Sequence, residues 1–281
     1  MSEQKSSKLN HLQILLPEGV LVTTAWLVAH GYPRSLLAKY AQRGWLESPA
    51  RGVYRRPGPP LKWQHVVGSL QNLLQLPVHV GGRTALEMQG HAHYLRLGPG
   101  GVIFLYSAQR LPRWVGQVGV QERFVIRSDR LFAEPEPAPP GRLVAERTAA
   151  YELADPQRVG LTTVAWGSWD SPLTHSTLER ACMEMLDEVP HAETVEDADA
   201  MMQGLTTLSP RRVTALLEAC RSVKVKRLFL ALAERRAHAW FKHLDLSAVD
   251  LGRGKRALVP GGKLSVKYRI TLPRSLDGDT E

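Results

Sequence analysis

The residues whose types and spacing could do chemistry are cations, and the chemistry open to them is binding a polyanion. Arg34, Ser35, Lys39, Gln42 and Arg43 fall on one face of a helical stretch. Such long polar side chains suit phosphates and the hydrogen-bonding edges of bases. Leu36, Leu37, Tyr40 and Ala41 make its apolar face. Arg51, Arg55 and Arg56 follow in a turn and its second arm, placed to meet a phosphate backbone. With Thr24 and Tyr40 these are the candidate contacts to double-stranded DNA. A second set, Lys224, Lys226, Arg227, Lys263, Lys267 and Arg269, gives the C-terminal part a basic face for an acidic protein or RNA.

Bond-making chemistry finds no comparable support. His91 and His93 have the spacing of a metal-binding pair, but no Cys, Asp or Glu follows within a dozen residues to complete a site. His238 and His243 do not share a helical face, and Cys220 sits on an apolar stripe. Gly252-Arg253-Gly254-Lys255-Arg256 lacks the ending of a phosphate loop and leads to a strand. Gly81-Gly82 could seat an anion at a helix start, but it lacks the spacing of a phosphate-binding loop and a tight strand-to-helix turn explains it better. The acidic stretch 170–200 shows no spacing that selects a pair for acid–base work. The expectation is a non-enzyme with no metal and no cofactor.

The elements that must hold the cations can be read in order. A helix over Leu9–Leu16 follows a frayed 1–8. A short helix starts at the hydroxyls of Thr23 and Thr24 and ends at Gly31. Pro33 sets up the next helix, which Gly44 stops, and a hairpin with its turn at Ser48–Gly52 completes a winged helix-turn-helix. Beyond the stiff Pro57-Gly58-Pro59-Pro60 linker come a helix over Leu61–Leu74 and strands at 77–80 and 102–106. A β-leaning region at 110–127 and a proline-rich segment at 134–141 come next. Helices are expected from Ser176, with a capping pattern, over 197–204 and from Ser209 onward. Strict alternation in Lys263–Leu272 predicts one strand, with Leu264, Val266, Tyr268 and Ile270 inward and Arg256–Val259 as its hairpin partner. The fold class is α+β: a winged helix-turn-helix at 1–60, then a larger mixed α/β domain at 61–281, with a possible internal division near 134–141.

Charge agrees with this division. Residues 1–62 carry nine Lys or Arg against three Glu, and the chain has net charge +9 and a pI near 9.8. Residues 170–200 reverse the sign, and 211–242 reverse it again. Two cysteines, a polar start and no long apolar run predict a cytoplasmic protein with no membrane span.

The order of motifs resembles the AbiEi family of abortive-infection antitoxins, over about Leu9 to Pro273. The resemblance is carried by the N-terminal helices, GGRTALEMQG (81–90), STLERACMEML (176–186), SVKVKRLFL (222–230), HAWF (238–241) and VDLGRGKRALVPGGKLSVKYRITLP (249–273). Ser-Thr-Leu-Glu-Arg-Ala stands here where many relatives have Ser-Pro-Glu-Arg-Ala, so that motif does not carry over to Thr177 and Leu178. The resemblance implies an N-terminal repressor of the antitoxin–toxin operon. It also implies a C-terminal domain that neutralises an AbiEii-type nucleotidyltransferase toxin by contact, by competition for RNA or indirectly. The alternative is an RNA-binding or protein-docking adaptor working through the basic C-terminal faces.

Overall fold

The computed structural model describes residues 2–91, 100–133, 160–167 and 171–277; the proline-rich 134–141 and His93 lie outside them. The chain forms two compact units. One comprises Met1–His79, Gly98–Ile126 and Val164–Leu173, the other Val80–Leu97, Arg127–Thr163 and Thr174–Glu281. The first unit thus runs past the Pro57–Pro60 linker to His79.

That unit begins with α1 (Ser2–Leu15), β1 (Val22–Thr23), α2 (Thr24–Ala29), α3 (Arg34–Gln42), β2 (Glu47–Ala50) and β3 (Val53–Arg55). The helix covers the expected frayed start, because Leu12 and Leu16 anchor it in the core and extension after nucleation is cheap. Thr23 Oγ1 accepts the Trp26 N–H at 3.1 Å to open α2, and Gly31 leaves its end with φ +85°. The three strands pair in the order β1-β3-β2, all antiparallel, with Val22 opposite Tyr54 and Glu47 opposite Arg55. The turn is tighter than expected: only Arg51 and Gly52 separate β2 from β3, with Gly52 at φ +75°. Pro49 therefore lies inside β2, which is tolerated on an edge strand. Leu12, Leu16, Val22, Leu27, Tyr32, Leu37, Tyr40 and Leu46 form the core beneath, each contributing about 1.5–3 kcal/mol of burial.

α4 (Trp63–Gly68) continues into a π-helical turn, Ser69–Leu73. Ser69 Oγ donates to His65 O at 2.6 Å and accepts the Leu21 N–H at 2.8 Å, and Leu73 packs against the core just described. A five-stranded sheet follows in the order β6-β5-β4-β8-β7. Its strands are β4 (Val78–Val80), β5 (Val102–Ser107), β6 (Arg123–Ser128), β7 (Leu161–Trp166) and β8 (Ser171–Ser176). Within the β-leaning region 110–127 only β6 is a strand; before it comes a 3-10 turn, Arg113–Gly116, started by Pro112 and burying Trp114 and Val115.

The second unit packs α5 (Gly82–Met88), α6 (Leu178–Asp187), α7 (Val195–Gly204), α8 (Pro210–Ala219) and α9 (Val223–Arg235) around one apolar cluster. α6 is its centre, buried on every side from Glu179 to Leu186. The C-terminal alternation misleads. Lys263–Leu272 is two strands, β10 (Lys263–Ser265) and β11 (Ile270–Leu272), paired antiparallel across a turn at Val266–Arg269. β9 (Arg256–Ala257) joins β11 in parallel instead of forming a hairpin with β10. A period of two cannot show a reversal that uses no Gly or Pro. Here Arg269 takes φ +52°, and its carbonyl accepts from Arg227 Nη1 (3.0 Å) and Arg256 N (2.9 Å).

Candidate nucleic-acid interface

α3 is amphipathic in the sense the sequence requires. Leu37 and Tyr40 are buried, while Arg34, Ser35, Lys39 and Gln42, with Arg43 at its C-cap, are exposed. No acidic residue lies between Arg34 and Arg43, so nothing on this element neutralises the cations. Arg43 lies over the Trp45 ring, 5.3 Å from its centroid, and Tyr40 meets Trp45 edge-on at 5.3 Å. Trp45 is 39% exposed, an amphipathic contact that the sequence pattern did not select. Its only signal was an aromatic placed directly after the glycine that stops α3. Arg51 is exposed at the β2–β3 turn. Thr24 is spent on holding that turn, its amide and its hydroxyl both donating to Gly52 O at 2.8 and 3.1 Å.

Two of the candidate DNA contacts are corrected. Tyr40 points into the core, 3% exposed, and burial raises its pKa. Arg55 shares the inward face of β3 with Val53 and is 8% exposed. Its Nε donates to Glu47 Oε2 at 2.6 Å and its Nη1 to Pro59 O at 2.8 Å. An arginine so paired braces the hairpin and is not available to phosphate. Arg56 is half-buried and donates to Gln13 O at 3.1 Å, at the end of α1.

The basic C-terminal set is corrected more heavily. Lys224 Nζ donates to Asp187 O (2.6 Å) and Val189 O (2.8 Å), satisfying carbonyls at the end of α6. Lys226, 6% exposed, donates to Asp250 O at 3.0 Å. Arg227, 2% exposed, ties down Leu251 O (2.8 Å), Gly254 O (2.7 Å) and Arg269 O (3.0 Å). Burial, with Arg269 and Arg256 nearby, lowers its pKa. These three cations are internal braces: Lys224 satisfies the end of α6, and the loop after 250 roofs Lys226 and Arg227 on the first turns of α9. Lys263 and Arg269 are exposed; Lys267 is exposed but ion-paired with Glu234.

The acidic stretch turns out to be an ionic core. Glu184 accepts from Gly82 N (2.9 Å), Ser176 Oγ (2.7 Å) and Arg180 Nε (2.8 Å). Arg180 also pairs with Asp129 and lies 4.8 Å from the Phe132 ring centroid. Arg83 pairs with Glu193, Arg212 with Glu179 at 3.0 Å, and Arg236 with Asp199 at 2.6 Å. The Gly82 amide that might have seated an external anion already holds an internal carboxylate. The expected capping box at Ser176–Glu179 is absent for the same reason, since Ser176 and Glu179 are drawn to Glu184 and Arg212. Cys182 and Cys220 are free thiols, Cys220 pushed up by burial to about 11. Among the described residues no group of His, Cys, Asp or Glu could hold a metal ion, and no helix is long and apolar enough to cross a membrane.

Residues 5–97 match the family model for the "AbiEi antitoxin N-terminal domain" of a transcriptional regulator, and residues 101–273 match "Transcriptional regulator, AbiEi antitoxin, Type IV TA system". The crystal structure of the RV2827C protein from Mycobacterium tuberculosis is similar in fold, with TM-score 0.54 and 17% identity. The match covers 94% of this chain and 89% of that one. No curated protein matches the chain.

Proposed function

The chain belongs to the AbiEi family of antitoxin transcriptional regulators of type IV toxin–antitoxin systems, and from that premise we propose that it represses its own operon and neutralises a cognate nucleotidyltransferase toxin. The first unit acts as a winged helix-turn-helix, with α3 in the major groove and the β2–β3 turn on the flanking backbone. One observation carries this reading: α3 buries Leu37 and Tyr40 and leaves Arg34, Ser35, Lys39, Gln42 and Arg43 exposed without a neighbouring carboxylate on the same element. In the order α1-β1-α2-α3-β2-β3, the three-stranded sheet and Thr24 hold Arg51 at the turn. The protein works in the cytoplasm, where its operator is, and no catalytic step is assigned to it.

An electrophoretic shift tests the repressor half. The protein should retard its own upstream DNA at concentrations well below those that retard random DNA at matched salt. Equal retardation of both would overturn sequence-specific repression. The adaptor reading is weakened, because Lys224, Lys226 and Arg227 serve the fold.

A further inference from the structure

Trp45 is larger and more exposed than its place in the backbone requires. Gly44, at φ +69°, reverses the chain behind α3. Its amide donates to Ala41 O at 3.1 Å, and the Trp45 amide donates to Tyr40 O at 2.9 Å. Such a paired cap closes a helix with an apolar contact between the residue after the glycine and the residue five before it. Trp45 makes that contact edge-on with Tyr40, 5.3 Å between ring centroids. A leucine would supply it too. The indole instead keeps 39% of its surface exposed, with the Arg43 guanidinium over its face. Arg43 is itself exposed, and among the described residues no carboxylate pairs with it.

We propose that Trp45 is a positioning residue for DNA reading, its ring fixing the plane of the Arg43 guanidinium so that the fork meets a guanine of the operator edge-on. The proposal rests on the repressor reading above. A guanidinium stacked on a ring keeps its in-plane N–H groups free, and O6 and N7 of guanine lie in one plane to accept them. Holding that plane before DNA arrives lowers the ordering cost of the contact. A phosphate gains little from such orientation, because its oxygens accept from many directions. A lysine would serve a phosphate as a point charge, but it has no plane to fix.

The test uses the full chain, its own upstream DNA and random DNA of equal length, with affinities from fluorescence anisotropy at one salt concentration. Trp45→Leu keeps the cap contact and removes the ring face. It should weaken operator binding roughly two- to fivefold, the size of an exposed cation–π contact, and leave random DNA within about 1.5-fold. Trp45→Phe should fall between leucine and tryptophan. In an Arg43→Ala background Trp45→Leu should change nothing further, since no guanidinium is left to position. Arg43→Lys, which leaves the cap untouched, should cost the operator at least as much as Trp45→Leu and should likewise make Trp45→Leu silent. Replacing each operator guanine in turn by 7-deazaguanine, which lacks the N7 acceptor, should find a position where wild type weakens and Arg43→Ala does not. Equal weakening of operator and random DNA by Trp45→Leu would make Arg43 a phosphate grip and overturn the proposal. Additive losses in the double variants would overturn it as well. If wild type prefers its upstream DNA no more than random DNA, the repressor reading fails and takes the proposal with it. A clear wild-type preference that Trp45→Leu leaves unchanged sinks the positioning role alone.

Discussion

Arginines separated by a few residues have opposite fates in the first unit, and the difference is testable. Lys39 and Arg43 stand exposed on α3, so replacing both with Ala should cost roughly 1–3 kcal/mol of operator affinity per lost base contact, read by titration against the operator. Melting temperature should stay unchanged. Arg55→Ala should do the reverse. It leaves Glu47 without its partner and lowers stability, while any loss of DNA binding follows only from the loosened hairpin. His65 offers a pH-dependent counterpart. Its Nδ1 accepts the Lys62 N–H at 2.9 Å, and its pKa is lowered from 6.5, first by burial and then by Arg55 and Lys62. The unfolded chain therefore takes up this proton first as pH falls. His65's contribution is complete above about 6.5 and is lost as pH drops through the lower folded value. Urea midpoints measured above and below that window should converge in His65→Gln relative to wild type.

At the scale of elements, α6 decides the second unit. A helix buried all round that carries Glu179, Arg180 and Glu184 is stable only while each charge keeps its partners. Glu184→Ala leaves the buried Arg180 guanidinium with Asp129 alone and removes the acceptor of Gly82 N and Ser176 Oγ. It should destabilise the protein by roughly 3–5 kcal/mol in denaturant melts. A loss below about 1 kcal/mol would mean that the network relaxes around the gap. The same reasoning separates α9 from its appearance in the sequence. Lys224, Lys226 and Arg227 look like a solvent face until the end of α6 offers carbonyls to the first and the loop after 250 offers them to the other two.

For the whole molecule, net charge +9 bears on association with a polyanion, while the DNA contacts proposed are few and local. Four cations, Arg34, Lys39, Arg43 and Arg51, predict a slope of log affinity against log salt of roughly −3 to −4 per bound unit. A slope near −8 would mean that cations outside the first unit also reach the DNA. The N-terminal limit belongs at this scale too. With Leu73 against the core of α1–α3 and Ser69 bonded to Leu21, a fragment starting at Leu61 leaves these partners behind.

Helix positions, the polar face of α3 and the existence of a hairpin after it were determined by the sequence alone. Local spacing, capping hydroxyls and the left-handed glycines at 31, 44 and 52 act within a few residues. The family resemblance was legible for a similar reason, since contiguous motifs carried it. Tertiary structure alone decided which charges are free. Arg55 is inward because β3 alternates against a core, and Arg227 is buried because a loop more than twenty residues later supplies two carbonyls and the Arg269 turn a third. It also decided that Val266 faces solvent, since the turn that expels it has no marker residue and is held by groups distant in the chain. A side chain's type states what it can bind, but only the fold brings the groups that compete for it.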